Sequence, residues 1–258
     1  MAKVTLIGSG KAATALGNAL MLAGHEIMQV WSRSDANANE LAGKINATAT
    51  IDLAAVSDVA DIYIITVKDD AIAEVASKLK IGNKIVAHTS GIKSKDLLTD
   101  VSVNYGIFYP FVSMTKESVV DFKKALFMIE GRNEETIAAL SSLADSISDN
   151  VKMVEESQRQ SLHLAAVFAH NFTNHLYTIS EKILNDKGLK FDDLRPLIAA
   201  HIANMQHLSP STLQTGPAIR HDSTTIDTHL HILDTSPEFK QLYLAMTEAI
   251  QSWYKDRS

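Results

Sequence analysis

Three features of this sequence predict a doubly wound α/β fold with a mostly parallel sheet, followed by an all-helical region. Short, continuous apolar runs alternate with amphipathic stretches as far as Glu155, the pattern of strands covered by helices on both faces. A glycine-rich turn, GSGKAA, stands directly between the first apolar run and the first amphipathic stretch. Beyond Glu155 no strand-like run is evident, and long helical stretches take over.

The elements follow in order. Residues 4–7 (VTLI) read as a buried strand and 12–23 as the helix after it. HEIMQVW (25–31) is a second strand and ANANELAGKI the next helix. DIYIITV (61–67) and KIVAHT (84–89) are further buried strands, joined by the helix DAIAEVASKL. NYGIFYPF and ALFMIEG add two strands, EETIAALSSLADSI a helix, and VKMV a last short strand. From 156 a single long helix is expected, uninterrupted by Gly or Pro until Gly188. A second helix through 191–208 has Asp192 or Asp193 as N-cap and Pro196 in its first turn. Residues 209–222 read as a loop, Asp222 caps a short helix, and Ser236-Pro237 opens the closing one. Two domains are expected: 1–155 for dinucleotide binding, and 156–258 for substrate and dimerisation.

With 258 residues the chain can bury a substantial core. It contains no cysteine, which excludes disulfides, thiolate metal sites and cysteine catalysis, and fits a reducing, cytoplasmic setting. A net charge of −6 argues against nucleic acid as partner. No signal peptide or membrane span is expected.

The glycine turn admits two phosphate-binding readings. A P-loop requires Ser or Thr after its lysine and a glycine five residues before the second one. Here Ala12 follows Lys11, and Thr5 stands where the glycine should be. The dinucleotide fingerprint G-x-G-x-x-G/A fits as Gly8, Gly10 and Ala13, with Ser9, Lys11 and Ala12 between them. This makes the first domain a Rossmann domain. At the end of the second strand, about 20 residues on, an NAD enzyme places an acid against the ribose hydroxyls. Here stand Ser32, Arg33 and Ser34, a guanidinium flanked by hydroxyls, which favours NADP over NAD. The alternative is a solvated arginine, with Asp35 beyond the strand end. Thr66, Val67 and Lys68 are expected along the nicotinamide half of the cofactor, and His88 and Ser90 near its ring. Asp69 and Asp70 are expected to cap the next helix. His88 is either a core histidine or a polar group facing substrate.

GSGKAA, TVKDDAIAEVA, HTSG and YGIFYPFVSMT resemble the Rossmann-like NADP oxidoreductases related to pyrroline-5-carboxylate reductase, prephenate dehydrogenase and ketopantoate reductase. HLAAVFAHNFTNHL and TGPAIRHD more closely resemble a bacterial family whose Rossmann domain precedes a helical domain of unknown function. The resemblance covers nearly the whole chain. It implies a helical domain like that of 6-phosphogluconate dehydrogenase, dimeric and closing over the nicotinamide.

On an ideal helix, Leu162, Ala165, Ala166, Ala169, Phe172, Leu176, Ile179 and Ile183 gather on one apolar face. His163, His170 and Asn174 share a narrow band elsewhere, with Asn171 nearby. These polar groups either face substrate or form a helix or dimer interface. The hydroxyacid and ketopantoate reductases carry a catalytic lysine on this helix, one turn before an asparagine. Here Val167 precedes Asn171, His170 precedes Asn174, and the first lysine along the helix is Lys182. His170 takes the acid–base role, or a protonated imine substrate needs none. His170, Asn171 and Asn174 are therefore the substrate-side candidates, opposite His88 and Ser90. In TGPAIRHD, Thr215 and Arg220 are candidates to hold a substrate carboxylate, unless Arg220 and Asp222 form a structural clamp. His229 and His231 do not share a helix face, so no metal is expected.

The expected function is an NADP-dependent oxidoreductase passing hydride between nicotinamide and a small carbonyl or imine compound, carboxylated, as a homodimer. A non-catalytic NADP(H) sensor or scaffold is the alternative. A deazaflavin-linked NADP oxidoreductase is a third reading.

Overall fold

The computed structural model describes residues 1–114 and 120–255, which divide into two compact units at Val167/Phe168. The first unit is built on one eight-stranded sheet: β1 (Lys3–Ile7), β2 (Glu26–Trp31), β3 (Thr48–Thr50), β4 (Ile62–Ile65), β5 (Ile85–His88), β6 (Tyr105–Phe111), β7 (Leu126–Gly131) and β8 (Asn150–Met153). Their order is β3-β2-β1-β4-β5-β6-β7-β8. The first six run parallel in the doubly wound order, β7 turns antiparallel to β6, and β8 is parallel to β7. The three-residue β3 is too short to leave a periodic signal, and the sequence pattern does not reveal it.

Alternation along the strands divides the core in two, because successive side chains point to opposite faces. Val4, Leu6, Ile62 and Ile64 join one cluster with Leu16 and Leu20 of α1 (Lys11–Leu22). That cluster also takes Leu41 of α2 (Asp35–Lys44) and Leu140 of α4 (Glu134–Asp145). Ile7, Tyr63 and Ile65 join the other cluster with Ile72 and Val75 of α3 (Ile72–Ala76). α3 is half the expected length and is preceded by a 3-10 turn over Asp69–Ala71. Asp69 and Asp70 lie within that turn, and neither makes a side-chain cap bond, so the expected capping role is not seen.

The expected single helix from 156 is three segments. α5 (Glu156–Ala166) passes through a π-helical stretch, Val167–Phe172, into α6 (Thr173–Asn185). Wider i→i+5 turns rotate the next helical segment out of α-helical register. The ideal projection that groups His163 with His170 and Asn174 does not apply through this stretch. The units divide within this stretch rather than at 155, because Arg159, Gln160 and His163 all bond to the first unit.

The second unit continues with α7 (Arg195–Met205), α8 (Ser223–Ile232) and α9 (Pro237–Tyr254). A 3-10 turn, Phe191–Leu194, leads into α7, so its N-cap is Leu194 rather than Asp192 or Asp193. Pro196 does sit in the first turn, and Asp222 caps α8 by accepting from the Thr225 N–H at 3.1 Å. Ser236 precedes α9 without a side-chain cap bond. No helix among the described residues is long and apolar enough to cross a membrane.

Candidate functional site

The loop between β1 and α1 is shaped by its glycines. Gly8 has φ +132°, and a Cβ there would stand 2.5 Å from Thr66 Oγ1 and 2.9 Å from the Thr66 backbone. Only glycine lets β1 turn this tightly against the end of β4. At Gly10, by contrast, a Cβ would meet nothing within 4 Å. That position is open, on the outer side of the loop, and Gly10 is the N-cap of α1. No side chain caps this helix, and its first turn carries no acid. The first-turn amides are left pointing outward with a partial positive charge, which suits an anion. Ala13 is fully buried, which brings α1 close to the sheet. Ala12 is partly buried and Lys11 exposed.

The end of β2 is joined to this loop. Ser9 Oγ donates to Ser32 Oγ at 2.7 Å, and the Ser34 N–H reaches the same Ser32 oxygen at 3.3 Å. Ser34 Oγ accepts from the Asn37 N–H and so starts α2, which makes Asp35 a first-turn helix residue past the strand end. Arg33 is exposed between them. Ser9, Ser32 and Ser34 are therefore linked directly, with Arg33 carried on the link.

At the end of β4, Thr66 is buried and its hydroxyl donates to the Ile7 carbonyl, with Val67 half-buried and Lys68 exposed. At the end of β5, the structure decides between the two readings of His88. The ring is wholly buried; its Nδ1 accepts from the Ser90 N–H at 3.2 Å, and its Nε2 lies 3.1 Å from the Ser94 carbonyl. This arrangement fits the neutral ring with its hydrogen on Nε2, and burial pushes the imidazole down to about 4. Ser90 is buried too, its Oγ accepting from the N–H groups of Ile92 and Lys93. His88 thus follows the core-histidine reading rather than the substrate-facing one, and the polar atoms of both His88 and Ser90 are partnered within the loop they shape.

The groups that hold this loop from the other side leave no signal in the sequence. Arg159 of α5 has no exposed surface; it bonds to Glu130 on β7 and donates from Nη1 to the Ser90 carbonyl at 3.1 Å. Gln160 donates to the Ile92 carbonyl at 3.0 Å. Tyr109 of β6 meets His163 Nδ1 at 3.0 Å, directly over Gly91. A charged residue in a polar helical run reads as solvent-facing, and nothing in the sequence joins positions 29 and 69 residues apart.

In the second unit, His170 and Asn171 lie on the π-helical stretch and Asn174 on the first turn of α6, all exposed. The apolar face expected beside them is also open: Phe172 is 52% exposed and Leu162, at the end of the first unit, 37%. Thr215 and Arg220 are exposed. No ion pair joins Arg220 to Asp222 among the described residues, so the clamp reading is not seen; Asp222 is held low chiefly by its bonds from Thr225. His229 Nδ1 lies 2.9 Å from the Tyr243 hydroxyl and His231 Nδ1 2.9 Å from Asp234.

Residues 3–90 match the family model of coenzyme F420-dependent NADP oxidoreductases, and residues 125–250 match a domain of unknown function, DUF2520. Thr115, which closes the YGIFYPFVSMT stretch, lies outside the described residues, as do residues 256–258 of the expected second domain. No curated protein is significantly similar to the chain. Among solved structures, a Bacteroides fragilis protein provisionally assigned as an NADP oxidoreductase is 38% identical, with a TM-score of 0.89; the match covers 97% of this chain and 98% of that one. A Thermotoga maritima protein is 21% identical over 98% of this chain and 99% of its own, TM-score 0.72. A reductive aminase from Aspergillus terreus, solved with NADPH and ethyl-5-oxohexanoate, is 14% identical over 99% and 94%, TM-score 0.78, a likeness of fold. With its Rossmann loop, its helical second unit and a relative 38% identical along its length, the chain belongs to the NADP oxidoreductases that carry this helical domain of unknown function.

Proposed function

We propose that the first unit binds NADP(H) with the pyrophosphate at Gly8, Ser9, Gly10, Lys11, Ala12 and Ala13, where an uncapped helix start meets the open position at Gly10. That pairing of free amides with open space is the observation that carries the reading. Ser32, Arg33 and Ser34 surround the 2′-phosphate, and Thr66, Val67 and Lys68 line the nicotinamide half. When bound, the cofactor supplies or accepts hydride at nicotinamide C4. His88 and Ser90 are positioning residues, which fix the loop after β5.

The substrate we propose is a small carboxylated carbonyl or imine compound. Arg220, exposed, offers the planar fork that suits a carboxylate, with Thr215 beside it in sequence. His170, Asn171 and Asn174 are proposed as the groups that touch the reacting end. They support this role by lying exposed at a π-helical stretch, a feature common at functional sites. His170, one turn before Asn174, takes the place of the lysine that related reductases carry one turn before an asparagine.

We also propose a homodimer formed through the second unit, acting in the cytoplasm, where a chain without cysteine is unaffected by the reducing setting. Among the described residues of that unit, Ala218, Leu233 and Thr247 alone are buried, while Phe168 is 62% and Leu197 69% exposed. Such open apolar surface is characteristic of an interface.

A panel of 2-oxo acids and cyclic imines, followed by NADPH absorbance, tests the activity. The expected result is turnover of at least one class, slowed by about tenfold or more in His170→Ala. Tight NADPH binding with no turnover of either class would favour the sensor.

A further inference from the structure

The contact between Tyr109 and His163 lies outside the residues proposed to hold the dinucleotide. Tyr109 lies two residues beyond Ile107, whose register partner on β5 is His88, so it stands level with Ser90. Its hydroxyl is 3.0 Å from His163 Nδ1, with the rings tilted by 57°. Gly91 leaves the room for this meeting. A Cβ there would stand 2.6 Å from His163 Nδ1 and 2.9 Å from the Tyr109 hydroxyl. Both side chains are half-buried. Burial, and then the charge of Asp69, holds the phenol above its usual range against the opposing pull of Arg159, so the hydroxyl keeps its proton. The pair thus touches the loop after β5 and feels the loop after β4. Those are the strand ends beyond which the reactive half of a ligand lies in an open α/β sheet.

We propose that Tyr109 is a proton donor of the reaction and His163 its relay, a role that rests on the proposed carbonyl or imine reduction. Tyr109 breaks its O–H bond and gives the proton to the oxygen of a carbonyl substrate as hydride from reduced nicotinamide reaches the carbon. The alcohol forms, and both electrons of the new C–H bond come from the hydride. The phenolate oxygen left on Tyr109 takes the Nδ1 hydrogen of His163 as the Nε2 of the same ring takes a proton from water. An iminium substrate carries its proton already and needs none from Tyr109. The two substrate classes therefore draw differently on the pair.

Two measurements on the full-length protein test this, using Tyr109→Phe and His163→Gln. The first follows the ring ¹⁵N signals of His163, identified by their loss in His163→Gln, before and after NADP⁺ is added. NADP⁺ should move them in the wild type, and Tyr109→Phe should change their position in the absence of NADP⁺. Signals unmoved by NADP⁺ place the pair away from the nicotinamide and overturn the proposal, whatever the turnover. The second compares turnover of a 2-oxo acid with that of a protonated cyclic imine. The ratio of carbonyl to iminium rate should fall about 100-fold in Tyr109→Phe, the size typical of a lost general acid. A ratio that stays constant, as for a pair that only fastens α5 to the sheet, overturns the proposal. Signals that move with NADP⁺, in a protein that turns over neither class, would defeat the reduction reading and the donor role with it.

Discussion

Arg159 and Glu130 form a buried ion pair that bridges α5 and β7, and the same guanidinium holds the Ser90 carbonyl at 3.1 Å. Lys95 stands 3.8 Å from the second Glu130 oxygen. The pair thus ties the loop after β5 to the far half of the sheet.

Breaking this pair from one side leaves a buried charge without its partner, which costs about 3–5 kcal/mol. Arg159→Met and Glu130→Met should each destabilise the protein on that scale in urea. The double variant Arg159→Met/Glu130→Met should recover much of the loss. A double variant as unstable as the sum of the singles would show that the pair is not one coupled unit.

Gly8 and Gly10 should respond in opposite ways to alanine. Gly8→Ala meets Thr66 at 2.5 Å in a backbone conformation hostile to L residues, so the folded protein should lose on the order of 1–3 kcal/mol. Gly10→Ala meets nothing, and its stability should stay within about 0.5–1 kcal/mol. Its NADPH affinity should nonetheless drop by about tenfold or more, as a methyl group intrudes where the pyrophosphate approaches the backbone. Thermal unfolding and fluorescence titration together separate the two.

His88 makes acid stability measurable. Its folded-state value, about 4, lies below the ordinary 6.5, so the unfolded chain binds the extra proton first. Stability is therefore full above pH 6.5 and is lost as pH falls from 6.5 toward 4, on the order of 3 kcal/mol for this group. Urea unfolding at pH 7 and pH 4.5 should show the loss in the wild type. In His88→Asn, less stable at pH 7, that part of the pH dependence should be absent.

Cofactor choice should follow Arg33. Wild-type protein should bind NADPH more tightly than NADH, and Arg33→Ala should bring the two within about threefold by removing one charge-assisted contact. Equal affinities in the wild type would dismiss the role given to Arg33.

Sedimentation at micromolar concentration should give twice the mass of 28.2 kDa. Phe168→Glu, at a position 62% exposed in the single chain, should shift it toward monomer. A monomeric wild type would require another cover for that surface.

Much of the fold could be read from local pattern. Alternation of buried runs and amphipathic stretches marks β1, β2, β4, β5, β6 and β7, and the glycine spacing marks the first turn. The features that could not be read have a common physical cause. The π-helical stretch at Val167–Phe172 contains no Gly or Pro, so an ideal projection carried His163 onto the same band as His170. Arg159 becomes a core residue only because Glu130, 29 positions earlier, is buried opposite it. Tyr109 and His163 are 54 positions apart, and neither alone signals the other. Periodicity reports which face a side chain takes within one element, while these contacts depend on which elements become neighbours.

The hydroxyl bridge from Ser9 to Ser32 limits how the cofactor preference of this protein could be re-engineered. Replacing the whole Ser32-Arg33-Ser34 stretch by the acid-containing ending of an NAD enzyme would remove more than a phosphate contact. It would remove the serine bridge between the glycine turn and β2, leaving only the Gly8 N–H bond to the Trp31 carbonyl at 2.8 Å, and would uncap α2 in the same stroke. A redesign toward NADH should change Arg33 alone and keep both serines, so that the new preference is installed on an intact loop.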